Sequence, residues 1–158
     1  MIPALRVLSR IGIASTLGLC LVCPALLAAG QTAPADKSAS KALYERLGGV
    51  EAIRAVVDDF VARVGADDRI NRYFAGSDLD GLKKHLTDQI CQAAGGPCTY
   101  TGQDMKTVHA GMGITGGDFS ALVQDLVASL EKFKVSKEDS GSLVGLLAPM
   151  RKDIVEKP

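Results

Sequence analysis

Two histidines, His85 and His109, and two cysteines between them, Cys91 and Cys98, are the side chains of this sequence best suited to chemistry at a metal. Imidazole is the commonest side-chain metal ligand. One histidine on a half-apolar helix is ordinarily a hydrogen-bonded boundary residue, whereas two on separate elements favour ligation. His85 lies between Leu82 and Leu86, so it turns at least partly toward an apolar face. His109 follows Met105, Lys106, Thr107 and Val108 and is followed by Gly111 and Gly113. That segment is too brief for a long helix and suits a residue presented from a loop or a one-turn helix. A zinc set of His85, Cys91, Cys98 and His109 would have five, six and ten intervening residues, which matches no common finger spacing. Cys91 and Cys98 are separated by six residues that include Gly95, Gly96 and Pro97, so the chain can turn back, and an exported setting would let them pair. The chain has no Cys-x-x-Cys-His motif, which excludes covalent haem attachment of that type.

The elements that must hold these residues are helical. Ile53, Val56, Val57, Phe60, Val61 and Val64 form an i, i+3, i+4, i+7 stripe. Phe119, Leu122, Val123, Leu126, Val127 and Leu130 repeat it. Leu143, Leu146, Leu147, Met150 and Ile154 do so again, with Ser136 and Asp139 as a capping pair at the start and Pro149 as an expected kink. A shorter helix is expected after Ser77, with Asp80 three residues on. It would carry Leu79, Leu82, Leu86, Ile90 and Ala93 and end at Gly95-Gly96-Pro97. Gly48-Gly49 separates a leading turn, Leu43 to Leu47, from the first long helix. No stretch alternates as a strand would, and no internal repeat is present. The expectation is one all-α domain of roughly four principal helices.

With 158 residues the chain has room for one domain, and its eighteen basic and eighteen acidic residues cancel. No basic patch points to nucleic acid. Arg6 and Arg10 precede an uncharged stretch from Ile11 to Ala28, followed by small residues up to Gly30. This is the pattern of a secretory signal over residues 1–30, and it contains Cys20 and Cys23. An uncleaved membrane anchor is the alternative, at the lower limit of spanning length. Residues 31–40 are mostly Ala, Ser, Thr, Pro and Lys with little to bury, a tether before a domain over 41–158.

The order of residues along that domain resembles the group I truncated haemoglobins. Leu43-Tyr44-Glu45-Arg46-Leu47-Gly48-Gly49 opens as they do, and Gly95-Gly96-Pro97-Cys98-Thr99-Tyr100-Thr101-Gly102, then Met105, Val108 and His109, then Gly113-Ile114-Thr115, is similar to their most recognisable stretch. The resemblance runs from about Leu43 to Val155. It implies a two-over-two helical sandwich around haem b, with the glycine pairs as hinges. His109 would be the proximal iron ligand, and Phe74 the phenylalanine wedged against the porphyrin. Met105, Val108, Ile114, Phe119 and Leu147 would line the haem, joined by Leu82 and Leu86 from the helix that carries His85.

The distal side departs from the family's pattern. Many relatives place a tyrosine and a glutamine where this chain has Val61 and Leu86, neither of which donates a hydrogen bond. His85 matches the position at which some relatives carry a sixth iron ligand, and Gln89 is the other polar candidate. Lys83 and Lys84 could face propionates or simply form a solvated face. The expected function is reversible binding of oxygen or nitric oxide by a monomer. The alternatives are electron transfer, nitric oxide dioxygenation served by an unidentified reductase, or a peroxidase-like activity with His85 as its acid–base group. A zinc-binding domain and a helical interaction module that has lost its cofactor are the readings outside haem chemistry. A Soret band after haem addition separates them from the rest.

Overall fold

The computed structural model describes residues 42–157. The expected signal segment, residues 1–30, and the tether, residues 31–40, lie outside the described residues. No described helix is long and apolar enough to cross a membrane. In chain order the helices are α1 (Leu43–Arg46), α2 (Gly49–Ala66), a 3-10 turn (Asn71–Phe74), α3 (Leu79–Ala93), α4 (Met105–His109), α5 (Gly116–Lys132), α6 (Lys137–Leu147), a second 3-10 turn (Ala148–Met150) and α7 (Arg151–Ile154). Among the described residues there is no strand, only one isolated parallel bridge between Thr115 and Lys157.

The principal helices pack as the expected two-over-two sandwich. Helix α2 packs against α3 and α5, and α6 packs against α3 and α5. The expected stripe on α2 is its buried face: Ile53, Val56, Val57, Phe60, Val61 and Val64 are all buried. They meet Ile90, Cys91, Leu126, Leu130 and Leu143 in one core. Two expected apolar positions lie outward instead, Leu79 at 46% exposure and Leu146 at 45%. Leu79 is the first residue of its helix and Leu146 sits in the last turn of α6, where a helix face has begun to leave its neighbours.

Helix ends follow side-chain capping. Ser136 accepts from the Asp139 amide at 3.0 Å and donates to its carboxylate at 2.8 Å, the expected pair. Helix α3 starts one residue later than the expected Ser77 cap. Asp78 is the cap, accepting from Gly81 N at 3.1 Å beside the positive helix end, where a carboxylate caps as well as a hydroxyl. Pro149 breaks the last apolar run into α6, a 3-10 turn and α7.

The two glycine pairs are tied to each other through Tyr44. Its amide donates to Ala94 O at 2.9 Å and its hydroxyl accepts from Val50 N at 3.1 Å. A Cβ on Gly96 would lie 2.4 Å from the Tyr44 ring and 2.7 Å from Cys91 Sγ, so only glycine fits there. Cys91 and Cys98 form a disulfide across this turn.

Candidate functional site

The sandwich borders an apolar cavity of about 480 Å³, open to solvent on one side, between α3, α4, α5 and the C-terminal turn. Phe74, Leu82, His85, Leu86, Met105, Val108, His109, Phe119 and Leu147 all line it, from five separate elements. Ile114 is the exception. It is buried beside the adjoining 190 Å³ space, which it shares with Val108, His109 and Phe119. Tyr100, Leu122, Met150 and Ile154 also line the main cavity, although nothing in their individual types distinguishes them in the sequence. Val61 lies elsewhere, in a 330 Å³ space with Phe60, Phe74 and Leu86.

His109 ends the five-residue helix α4. Its Nδ1 is 2.7 Å from Met105 O. A carbonyl only accepts, so Nδ1 carries the proton and Nε2 keeps its lone pair. That is the tautomer an iron ligand needs. Helix α4 begins at Asp104, which accepts from Thr107 N at 2.9 Å and Thr107 Oγ1 at 2.6 Å. These bonds hold the Asp104 carboxyl below the usual carboxylate range.

His85 comes from α3. Its Nδ1 is buried without a hydrogen-bond partner, a cost that a folded protein rarely carries without a use for the group. The ring stands edge-on to Tyr100, centroids 6.0 Å apart. Tyr100 is held by its amide on Gln92 Oε1 at 2.6 Å and its hydroxyl on Gln103 O at 2.7 Å. Burial raises its phenol pKa, so the hydroxyl stays neutral. Gln89 turns its amide to the sulfurs of Met105 and Met150, each at 3.5 Å. The neighbouring lysines face outward: Lys83 pairs with Asp58 at 3.0 Å and Lys84 with Asp88 at 2.7 Å.

The cavity's apolar wall, an imidazole with a free Nε2 and a second imidazole with an unsatisfied nitrogen fit a haem. They do not fit zinc. Both described cysteines are bonded to each other, and among the described residues no three His, Cys, Asp or Glu cluster as a metal site.

Comparison with known proteins agrees. Residues 42–156 match the family model of bacterial-like globins. The chain is 36% identical over 118 residues to the group 1 truncated haemoglobin GlbN of Mycolicibacterium paratuberculosis, covering 75% of this chain and 87% of that one. It is 33% identical over 115 residues to the group 1 truncated haemoglobin of Tetrahymena pyriformis, covering 73% and 95%. The crystal structure of the Tetrahymena pyriformis protein in its Fe(III) form superposes with a TM-score of 0.71 at 32% identity, over 73% of this chain and 98% of that one. The 2/2 haemoglobin of Synechococcus superposes with a TM-score of 0.68 at 31% identity, over 73% and 98%. Fold, cavity and relatives converge: this chain belongs to the bacterial-like globins, as a truncated haemoglobin of group 1, and its cofactor is haem.

Proposed function

We propose that the protein binds oxygen or nitric oxide reversibly, with His109 as the fixed protein ligand of a haem b iron and His85 as a second, displaceable one. Haem, when bound, supplies a ferrous iron with affinity for diatomic gases. His109 keeps Nε2 free by donating from Nδ1 to Met105 O. Phe74, Phe119, Leu82, Leu86 and Leu147 give the cavity an apolar wall. Leu86 has no donor to offer a ligand, and the polar side chains that line the cavity besides His109 are His85, Gln89, Tyr100, Thr101 and Gln103.

The observation that carries the reading of His85 is its buried, unpartnered Nδ1. A ring rotation brings either nitrogen to bear on a metal, and this ring has no hydrogen bond at Nδ1 to break in turning. A protein closed by His85 binds external ligands with an affinity reduced by the closed fraction. The same imidazole supports a second reading, redox or peroxidase-like chemistry with His85 moving a proton and a reductase supplying electrons.

We further infer an exported protein. The basic, apolar and small-residue order of residues 1–30 and the Cys91–Cys98 disulfide support an oxidising compartment. An anchored form would leave the site unchanged.

The test is the visible spectrum of the haem-loaded protein, ferric and dithionite-reduced, beside His85→Ala and His109→Gly. Low-spin spectra in both states that become high-spin in His85→Ala support ligation by both histidines. A high-spin spectrum indifferent to His85 removes the sixth ligand. His109→Gly should load haem stably only with added imidazole; loading that ignores imidazole removes the fixed ligand.

A further inference from the structure

The loop that follows His109 is held by the far end of the chain. Helix α4 has five residues, too few to persist alone. Beyond it Gly111 and Gly113 adopt φ of 80° and 67°, and this left-handed backbone turns their amides toward one point. Glu156 occupies that point: Gly111 N donates to Oε1 at 2.6 Å and Gly113 N to Oε2 at 2.5 Å. Between the two glycines, Met112 N donates to the carbonyl of His109 at 3.2 Å. The carboxylate thus holds both neighbours of the residue that holds His109.

The backbone around Glu156 is fastened as well. Its amide and that of Lys157 both donate to Ile114 O, at 2.9 and 3.1 Å, and Gly116 N donates to Lys157 O at 3.2 Å. Ile154, two residues earlier, is buried in the wall of the haem cavity.

We propose that Glu156 is a positioning residue for His109, a clasp by which the C-terminal segment sets the orientation of the imidazole and slows loss of the haem. The proposal rests on His109 being the iron ligand. The site calls for a carboxylate, because two N–H groups converge on it. A glutamine offers one accepting oxygen and turns its own NH₂ toward the second donor. An alanine leaves the two amides unpaired, and a small carboxylate from solution can then take the vacated place.

The experiment uses the haem-loaded protein in a His85→Ala background, with Glu156→Ala and Glu156→Gln added. The readouts are the iron–imidazole stretching band of the ferrous form, the rate of haem transfer to an excess of apomyoglobin, and the melting temperature. Glu156→Ala should shift and broaden the band and speed haem transfer by about tenfold, the scale of a charge-assisted hydrogen bond. Formate should restore both, and chloride at equal ionic strength should not. Glu156→Gln should shift the band without recovery by formate, and it carries the test should Glu156→Ala fail to fold. An unchanged band and transfer rate, with or without a lower melting temperature, would overturn the positioning role and leave His109's ligation intact. Indifference of His109→Gly to imidazole would overturn both together.

Discussion

Tyr73 donates its hydroxyl to Asp118 at 2.9 Å, which ties the 3-10 turn carrying Phe74 to the first turn of α5 carrying Phe119. Asp118 is already the acidic half of the capping box that starts α5, accepting from Thr115 N at 2.9 Å and Thr115 Oγ1 at 2.7 Å. Arg72 adds a contact to the same carboxylate at 3.1 Å. One largely buried carboxylate therefore bridges the elements that carry two aromatic walls of the cavity.

Removing the hydroxyl should loosen that bridge without opening a void. Tyr73→Phe is expected to keep the fold, to lower the melting temperature by a few degrees and to speed haem release severalfold. Haem transfer to apomyoglobin measures it. An unchanged rate with a lowered melting temperature would mean that Phe74 is held by packing alone.

The disulfide is expected to stabilise the apoprotein against unfolding. It closes a loop spanning a sequence separation of 7, and loop-closure entropy assigns such a link about 2.5 kcal/mol. Cys98→Ser leaves Cys91 in its buried place as a small apolar side chain. Urea unfolding of the apoprotein should show the loss, and a dithiol should give the wild type the same midpoint.

What the sequence discloses and what it withholds divide along distance in the chain. The buried stripe of α2 and the break at Pro149 follow from local periodicity and local stereochemistry. The gathering of Phe74, His85, His109 and Phe119 around one space was legible only through the family's order of residues, since Phe74 and Phe119 alone read as ordinary core and each histidine alone as a hydrogen-bonded boundary residue. Glu156 was not legible. Forty-five positions separate it from Gly111, and an exposed glutamate near a terminus carries no local signal until the fold brings it to two converging amides. Ser77 and Asp78 both cap well, so the start of α3 was uncertain by one residue for a reason propensity cannot resolve.

Acid should weaken the α2–α5 contact below pH 4. Asp59 on α2 pairs with Lys132, accepts from Arg63 Nε at 2.7 Å and accepts from Ser129 Oγ at 2.9 Å. These partners, Lys132 foremost, lower its pKa to about 2 from 3.8. A folded pKa below the unfolded one means stability that is complete above about 3.8 and lost as pH falls through about 2. Asp118, lowered to about 2 chiefly by the Thr115 amide, contributes over the same window. Asp59→Asn should lower the melting temperature at pH 7 by a few degrees and flatten the decline between pH 4 and 2. A decline of unchanged steepness would assign the acid sensitivity to other carboxyls.

Asp125 on α5 should behave in the opposite sense. Burial raises its pKa, the nearby Asp67 carboxylate raises it further, and its Oδ2 has no hydrogen-bond partner. Arg69 offsets part of this but spends its closest bonds on Asp67, at 2.7 and 2.9 Å. A folded pKa above the unfolded one means that the charged group opposes folding at neutral pH, and that the penalty is lifted as pH falls below the unfolded value. Asp125→Asn removes the charge and presents an NH₂ that can donate to Asp67. It should raise the melting temperature at pH 7 by a few degrees, and the gain should vanish by about pH 3, where Asp125 is already protonated. Melting curves of both proteins across that range decide it. A variant less stable at pH 7 would mean that Arg69 compensates the Asp125 charge more fully than its geometry toward Asp67 implies.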